Sequence, residues 1–207
     1  MYGKIKLTKS DERFIEELVP ILFPKWTKKS KRVERLIKYM SSLGTFNIPS
    51  MLEAAISITG NLERVRGNQR DFVDGSDAKK TTTRWRSNRT VYSASVSKVH
   101  NKIGVLRVMC YNKLLDKFYY FLIPRAAYNH IERTSNIEIP FMKDGTPQRG
   151  PANPNEKIIT NWWDYEVASF ADLSKPMPEH DITKAHLVPT SYSEFFAETP
   201  NVSSPVP

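Results

Sequence analysis

Three carboxylates and one lysine fall within the nine residues Asp71-Phe72-Val73-Asp74-Gly75-Ser76-Asp77-Ala78-Lys79. Hard divalent cations such as Mg²⁺ take oxygen ligands, so convergent carboxylates with a backbone carbonyl would make a site for one. In an extended segment Asp77 and Lys79 project to the same face, which lets the lysine reach a water or phosphate oxygen held at the same ion. Asp74 would face the other way in a regular strand, and Gly75 and Ser76 supply the turn or bulge that could bring it round. The structural alternative is a plain acidic turn, because Asp and Gly are common turn residues.

Rival chemistries find little support. Cys110 is the single cysteine, which excludes an internal disulfide and a multi-thiolate zinc site. His180 and His186 lie six residues apart, a spacing that suits no helical zinc motif. No Gly-rich phosphate loop, G-x-S-x-G elbow or dinucleotide fingerprint occurs, so ATP-driven and hydride-transfer enzymes are not indicated.

The residues after Lys79 are basic and hydroxyl-rich. Lys80, then Thr81-Thr82-Thr83-Arg84-Trp85-Arg86-Ser87-Asn88-Arg89, offers side chains for phosphate contact and for bidentate recognition of guanine. Lys80, Arg84, Arg86 and Arg89 are therefore the expected DNA contacts, with Gln148 and Arg149 in the loop after Gly145 as weaker candidates. The whole chain agrees in sign: 31 Lys and Arg against 22 Asp and Glu leave a net charge of +9, which attracts polyanions. Nucleic acid is the leading partner class, and a pure solubility role for the charge is the alternative.

These groups must be positioned by the surrounding elements. A length of 207 residues suggests a single domain, taken as residues 1–188: a basic helical region over 1–45, a catalytic core over 46–170, and then a Pro- and Ser-rich tail over 189–207. Phe14, Leu18 and Leu22 predict a helix from Ser10 to Pro24, and Val33, Leu36, Ile37 and Met40 predict a second from Ser30 to Gly44. A longer helix follows, with Ser50 and Glu53 matching a capping box and Met51, Ala55, Ile58, Leu62 and Val65 forming its apolar stripe. From Thr90 the period becomes that of strands: 91–96, 103–111 and 117–123, read as a three-stranded antiparallel unit. No apolar run is long enough to span a membrane and the N-terminus lacks a signal-peptide core, so a cytoplasmic protein is expected.

With its helix, its aspartate, its Asp77-Ala78-Lys79 and the strands that follow, the sequence resembles the PD-(D/E)xK nucleases, and type II restriction endonucleases in particular. DGSDAK followed by LRVMCYNKLLDKFYYFLIP and SNIEIPFMKDGTP carries the resemblance over residues 50 to 165. Val73 rather than proline precedes Asp74, and the gap to Asp77 is short, so Asp71 is the alternative first aspartate. The resemblance implies an α/β domain with a mixed central sheet, an antiparallel strand meander and flanking helices. It also implies Mg²⁺-dependent hydrolysis of double-stranded DNA. Asp74 and Asp77 would bind the ion with the Ala78 carbonyl, Lys79 would orient the attacking water, and Glu53 or Glu63 could hold a metal-bound water. Cutting both strands of a short palindrome calls for two such sites, hence a homodimer, with Trp26, Leu36, Ile37 and Met40 as interface candidates.

Overall fold

The computed structural model describes residues 7–24, 47–65, 70–86, 90–133, 135–149 and 161–177. The predicted helix from Ser30 to Gly44, the four interface candidates, Arg89 and the tail lie outside them.

Helix α1 (Lys9–Leu22) starts one residue before the expected Ser10. Thr8 caps it reciprocally: its hydroxyl accepts from the Asp11 N–H while its own N–H donates to the Asp11 carboxylate. Phe14, Ile15, Leu18 and Val19 form the buried stripe. Helix α2 (Ile48–Gly60) is capped by Asn47, whose side chain accepts from the Ser50 N–H, and Asn61 ends it in the left-handed conformation at φ 51°. The expected Ser50–Glu53 capping box does not form, because Ser50 already lies inside the helix. Leu62 and Val65 fall beyond its end, and Ile58 is exposed.

The sheet has six strands: β1 (Asp77–Arg86), β2 (Val91–Val96), β3 (Leu106–Asn112), β4 (Lys117–Ile123), β5 (Ile137–Phe141) and β6 (Glu166–Val167). Their order is β5-β2-β1-β3-β4-β6, with β1 parallel to β3 and every other pair antiparallel. With helices α3 (Arg125–Tyr128) and α4 (Phe170–Ser174) the architecture is mixed α/β. The expected antiparallel unit forms only between β3 and β4, since β2 pairs with β1 and β5 instead. The reason lies in burial. Strand β3 is buried at all seven positions and needs a neighbour on each side, whereas β2 begins with an exposed residue and is less completely buried, so it can serve nearer the edge.

Two cores sandwich the sheet. On one face α1, α2 and α4 pack Phe14, Leu18, Leu52, Ile56 and Leu173 against Ala78, Met109 and Tyr111. On the other, Leu106, Val108 and Cys110 meet Phe121, Tyr128, Ile139 and the 3-10 turn Trp162–Tyr165, so Trp162, Trp163 and Cys110 are core as their types suggest. Among the described residues no helix is long and apolar enough to cross a membrane.

Candidate active site

The site grows from the start of β1. Strand β2 ends at Val96, and β3 begins with Leu106 directly beside Asp77, so residues 97–105 must pass around the N-terminal end of β1. Asp77 N–H donates to the Val105 carbonyl at 2.9 Å, which ties that loop to the strand. On the other side, residues 71–76 form a tight turn. Asp71 N–H and Phe72 N–H both donate to the Ser76 carbonyl, and Gly75 takes φ 81°, a conformation that favours glycine. Gly104 lies so close that a Cβ there would overlap the Gly75 carbonyl oxygen. The Tyr128 hydroxyl donates to the Gly104 carbonyl, fixing loop, turn and α3 together.

Asp77 sits at the centre of this frame with 1% of its surface exposed. Lys79 Nζ lies 2.5 Å from its Oδ1, so the two residues share a face as the Asp-x-Lys spacing requires. Lys102, from the crossing loop, contacts Oδ2. Both carboxylate oxygens are buried without a hydrogen bond of ordinary geometry, so charge alone holds them. Asp71 stands beside this pair and accepts from the Ala78 N–H at 2.8 Å. Burial raises the Asp71 carboxyl above its ordinary range; the Asp77 charge adds to the rise and the Ala78 N–H opposes it.

Asp74 is not brought to this group. Its Oδ2 accepts from Arg107 at 2.6 Å and from the Met177 N–H at 3.2 Å, and its Oδ1 accepts from the N–H and hydroxyl of Ser76. Arg107 pairs in register with Ala78, on the helix-covered face, whereas Asp77 projects to the opposite face. Burial alone would raise the Asp74 carboxyl, but the Ser76 hydroxyl and the Arg107 guanidinium outweigh it and hold it below its usual range. Arg107 is fully buried and also reaches Ser76 Oγ and the carbonyls of Leu173 and Lys175. Asp74 thus answers the one cation inside the central strand, and Asp71 is the aspartate left beside Asp77.

Glu53 projects from α2 and pairs with Arg64, while its charge still reaches Asp71. Glu63 is exposed and gives its backbone carbonyl to the Val73 N–H. Among the described residues, no three His, Cys, Asp or Glu side chains gather as one metal-holding group. Asp71 and Asp77 nevertheless supply the oxygen donors that Mg²⁺ prefers, and an ion on Asp77 would have to take the place of Lys79 or Lys102 on its carboxylate. Ala78 is buried, with its side chain in the helix-side core and its N–H on Asp71.

The expected DNA contacts spread widely. Lys80, Arg84 and Arg86 occupy alternate positions of β1 on the face opposite Asp77 and Lys79. Lys80 is 3.0 Å from Asp11 and lies over the Phe14 ring, and Arg86 is 3.0 Å from Glu138 on β5. Arg84 is exposed near the strand end. At about 3.3 Å per residue, Arg84 and Arg86 stand roughly 23 and 30 Å along the strand from Asp77. Gln148 follows β5 with its N–H on the Pro140 carbonyl, and Arg149 pairs with Glu166 over the Trp163 ring.

Lys102 and Arg107 escape a sequence reading because neither belongs to a local pattern; each acquires its partner only through the parallel placement of β3. Lys102 stands in the mixed stretch Val99-His100-Asn101-Lys102-Ile103-Gly104-Val105, which names no partner for it. Compared with protein-family models, with curated proteins and with solved structures, the chain matches none at significance.

Proposed function

We propose that this chain is a Mg²⁺-dependent, sequence-specific endonuclease that hydrolyses phosphodiester bonds of double-stranded DNA on a PD-(D/E)xK-like core. The observation that carries the reading is the buried Asp77 carboxylate, unbonded except by charge, with Lys79 two residues on and Asp71 beside it. Asp71 and Asp77 would hold the ion, which when bound polarises the scissile phosphate and makes its water more acidic. Lys79 orients the attacking water and stabilises the charge that grows on the phosphate oxygens. Water adds to phosphorus as the P–O ester bond breaks; the proton it gives up is balanced by one taken by the leaving oxygen. Glu53 stays behind Asp71, held by Arg64, as an outer carboxylate. Arg84 is the exposed β1 cation best able to touch a backbone far from the cut.

A homodimer would place two such sites on the two strands of a palindrome. Sedimentation with a palindromic oligonucleotide tests that part: two chains per duplex are expected, and one chain per duplex contradicts it.

A second reading, a non-catalytic nucleic-acid-binding protein with a structural acidic turn, is favoured by the Asp74–Arg107 pair, which gives at least one acid of the turn a purely structural partner. Incubation with plasmid DNA with and without Mg²⁺ separates the two. Discrete fragments that require Mg²⁺ support the endonuclease, a smear supports a nonspecific nuclease, and retarded but intact DNA supports the binding protein.

A further inference from the structure

Lys102 has no part in the chemistry so far, yet it is one of the most deeply placed charges in the molecule. Only 8% of its surface is exposed, and its ammonium group contacts Asp77 Oδ2 while Lys79 holds Oδ1. Burying a long, flexible cation costs side-chain entropy and hydration, and here two ammonium groups rest on one carboxylate. A third cation is close: Arg125 stacks 4.8 Å over the ring of Tyr128, whose hydroxyl feels the Asp77 charge, and Arg125 Nη1 is buried without a hydrogen-bond partner.

A divalent ion taking Asp77 and Lys102 resting on the same carboxylate would repel one another, so the two must exclude each other or separate. A phosphodiester brings a further anion that can take one of the two cations resting on Asp77. We infer that Lys102 is a second active-site lysine: it occupies Asp77 in the ion-free protein and is transferred to an oxygen of the scissile phosphate when ion and DNA bind. This rests on the nuclease reading above. Its consequence is a coupling in which Lys102 weakens ion binding in the absence of DNA and strengthens it in the presence of DNA, by reciprocal linkage.

The test titrates Mg²⁺ alone, by calorimetry, into the wild-type chain, Lys102→Gln, Lys102→Arg and Asp77→Asn, each checked by thermal melting. Lys102→Gln should bind Mg²⁺ about tenfold more tightly than wild type, a coupling typical of linked sites, while Lys102→Arg stays near wild type and Asp77→Asn loses binding. Should Lys102→Gln fail to fold, amine labelling of the wild-type chain with peptide mapping reads the same event. Mg²⁺ should raise Lys102 labelling, and uncleaved duplex added with Ca²⁺ in place of Mg²⁺ should suppress it. If Asp77→Asn abolishes Mg²⁺ binding but Lys102→Gln binds no more tightly than wild type, or labelling ignores Mg²⁺, the nuclease reading stands and the role of Lys102 falls. If Asp77→Asn binds Mg²⁺ as well as wild type, the ion site is elsewhere and both fall.

Discussion

Replacing Asp74 by Asn should destabilise the fold without removing the chemistry. Its side chain, 7% exposed, pairs with Arg107, which is itself fully buried in β3. The substitution leaves the guanidinium bonded to Ser76 and to two backbone carbonyls but removes the negative charge of Asp74 from it. Breaking a buried pair from one side costs about 3–5 kcal/mol, a large share of the roughly 5–15 kcal/mol by which a domain is stable. For a chain of this size that corresponds to a melting temperature lower by about 6–20 °C. Differential scanning calorimetry near neutral pH, on both proteins in one buffer, measures it. The pH dependence has a definite sign. The Asp74 carboxyl is held below its ordinary value in the folded state, so its contribution is complete above the unfolded value and is lost as pH falls through the folded one. Wild type should therefore lose stability on acidification below about pH 4 more steeply than Asp74→Asn does. A loss under about 1 kcal/mol, with identical acid profiles, would refute the structural assignment of Asp74.

Other outcomes follow from the same geometry. Gly104→Ala forces a methyl group onto the Gly75 carbonyl, so the turn or the crossing loop must shift; a loss of about 1–3 kcal/mol in urea denaturation is expected, and unchanged stability would mean that the two backbones are not in contact. Arg84→Ala should weaken binding to all DNA sequences alike and reduce the salt slope by about one unit, whereas Arg149→Ala, engaged by Glu166 and Trp163, should leave both nearly unchanged. Fluorescence anisotropy over a salt series checks this, and the reverse ranking would move the interface to the β5 end of the sheet.

The parts of the fold set by local rules are readable in the sequence. The stripe Phe14, Leu18 and Leu22 places α1, and the aromatic-rich run of 117–123 places β4. Asp77 and Lys79 were legible for the same reason, since a two-residue period fixes their shared face whatever lies around them. Pairing was not. Strand β3 reads as apolar on both faces, which demands a central position but does not name its neighbours, so its parallel union with β1 had no local sign. Everything that depends on that union was therefore hidden: Arg107 claiming Asp74, and the loop carrying Lys102 to Asp77. The same two-residue period that joins Asp77 to Lys79 sends Lys80, Arg84 and Arg86 to the other face, a consequence that adjacency in sequence disguises.

The choice of aspartate tests the account most directly. Single-turnover cleavage of plasmid DNA with Mg²⁺ should be measured for wild type and for Asp71→Asn, Asp74→Asn and Asp77→Asn, at a temperature where calorimetry shows all four folded. Asp71→Asn and Asp77→Asn should each cut slower by orders of magnitude, and Asp74→Asn should cut at close to the wild-type rate. A folded Asp74→Asn that no longer cuts, beside an Asp71→Asn that cuts normally, would contradict the account.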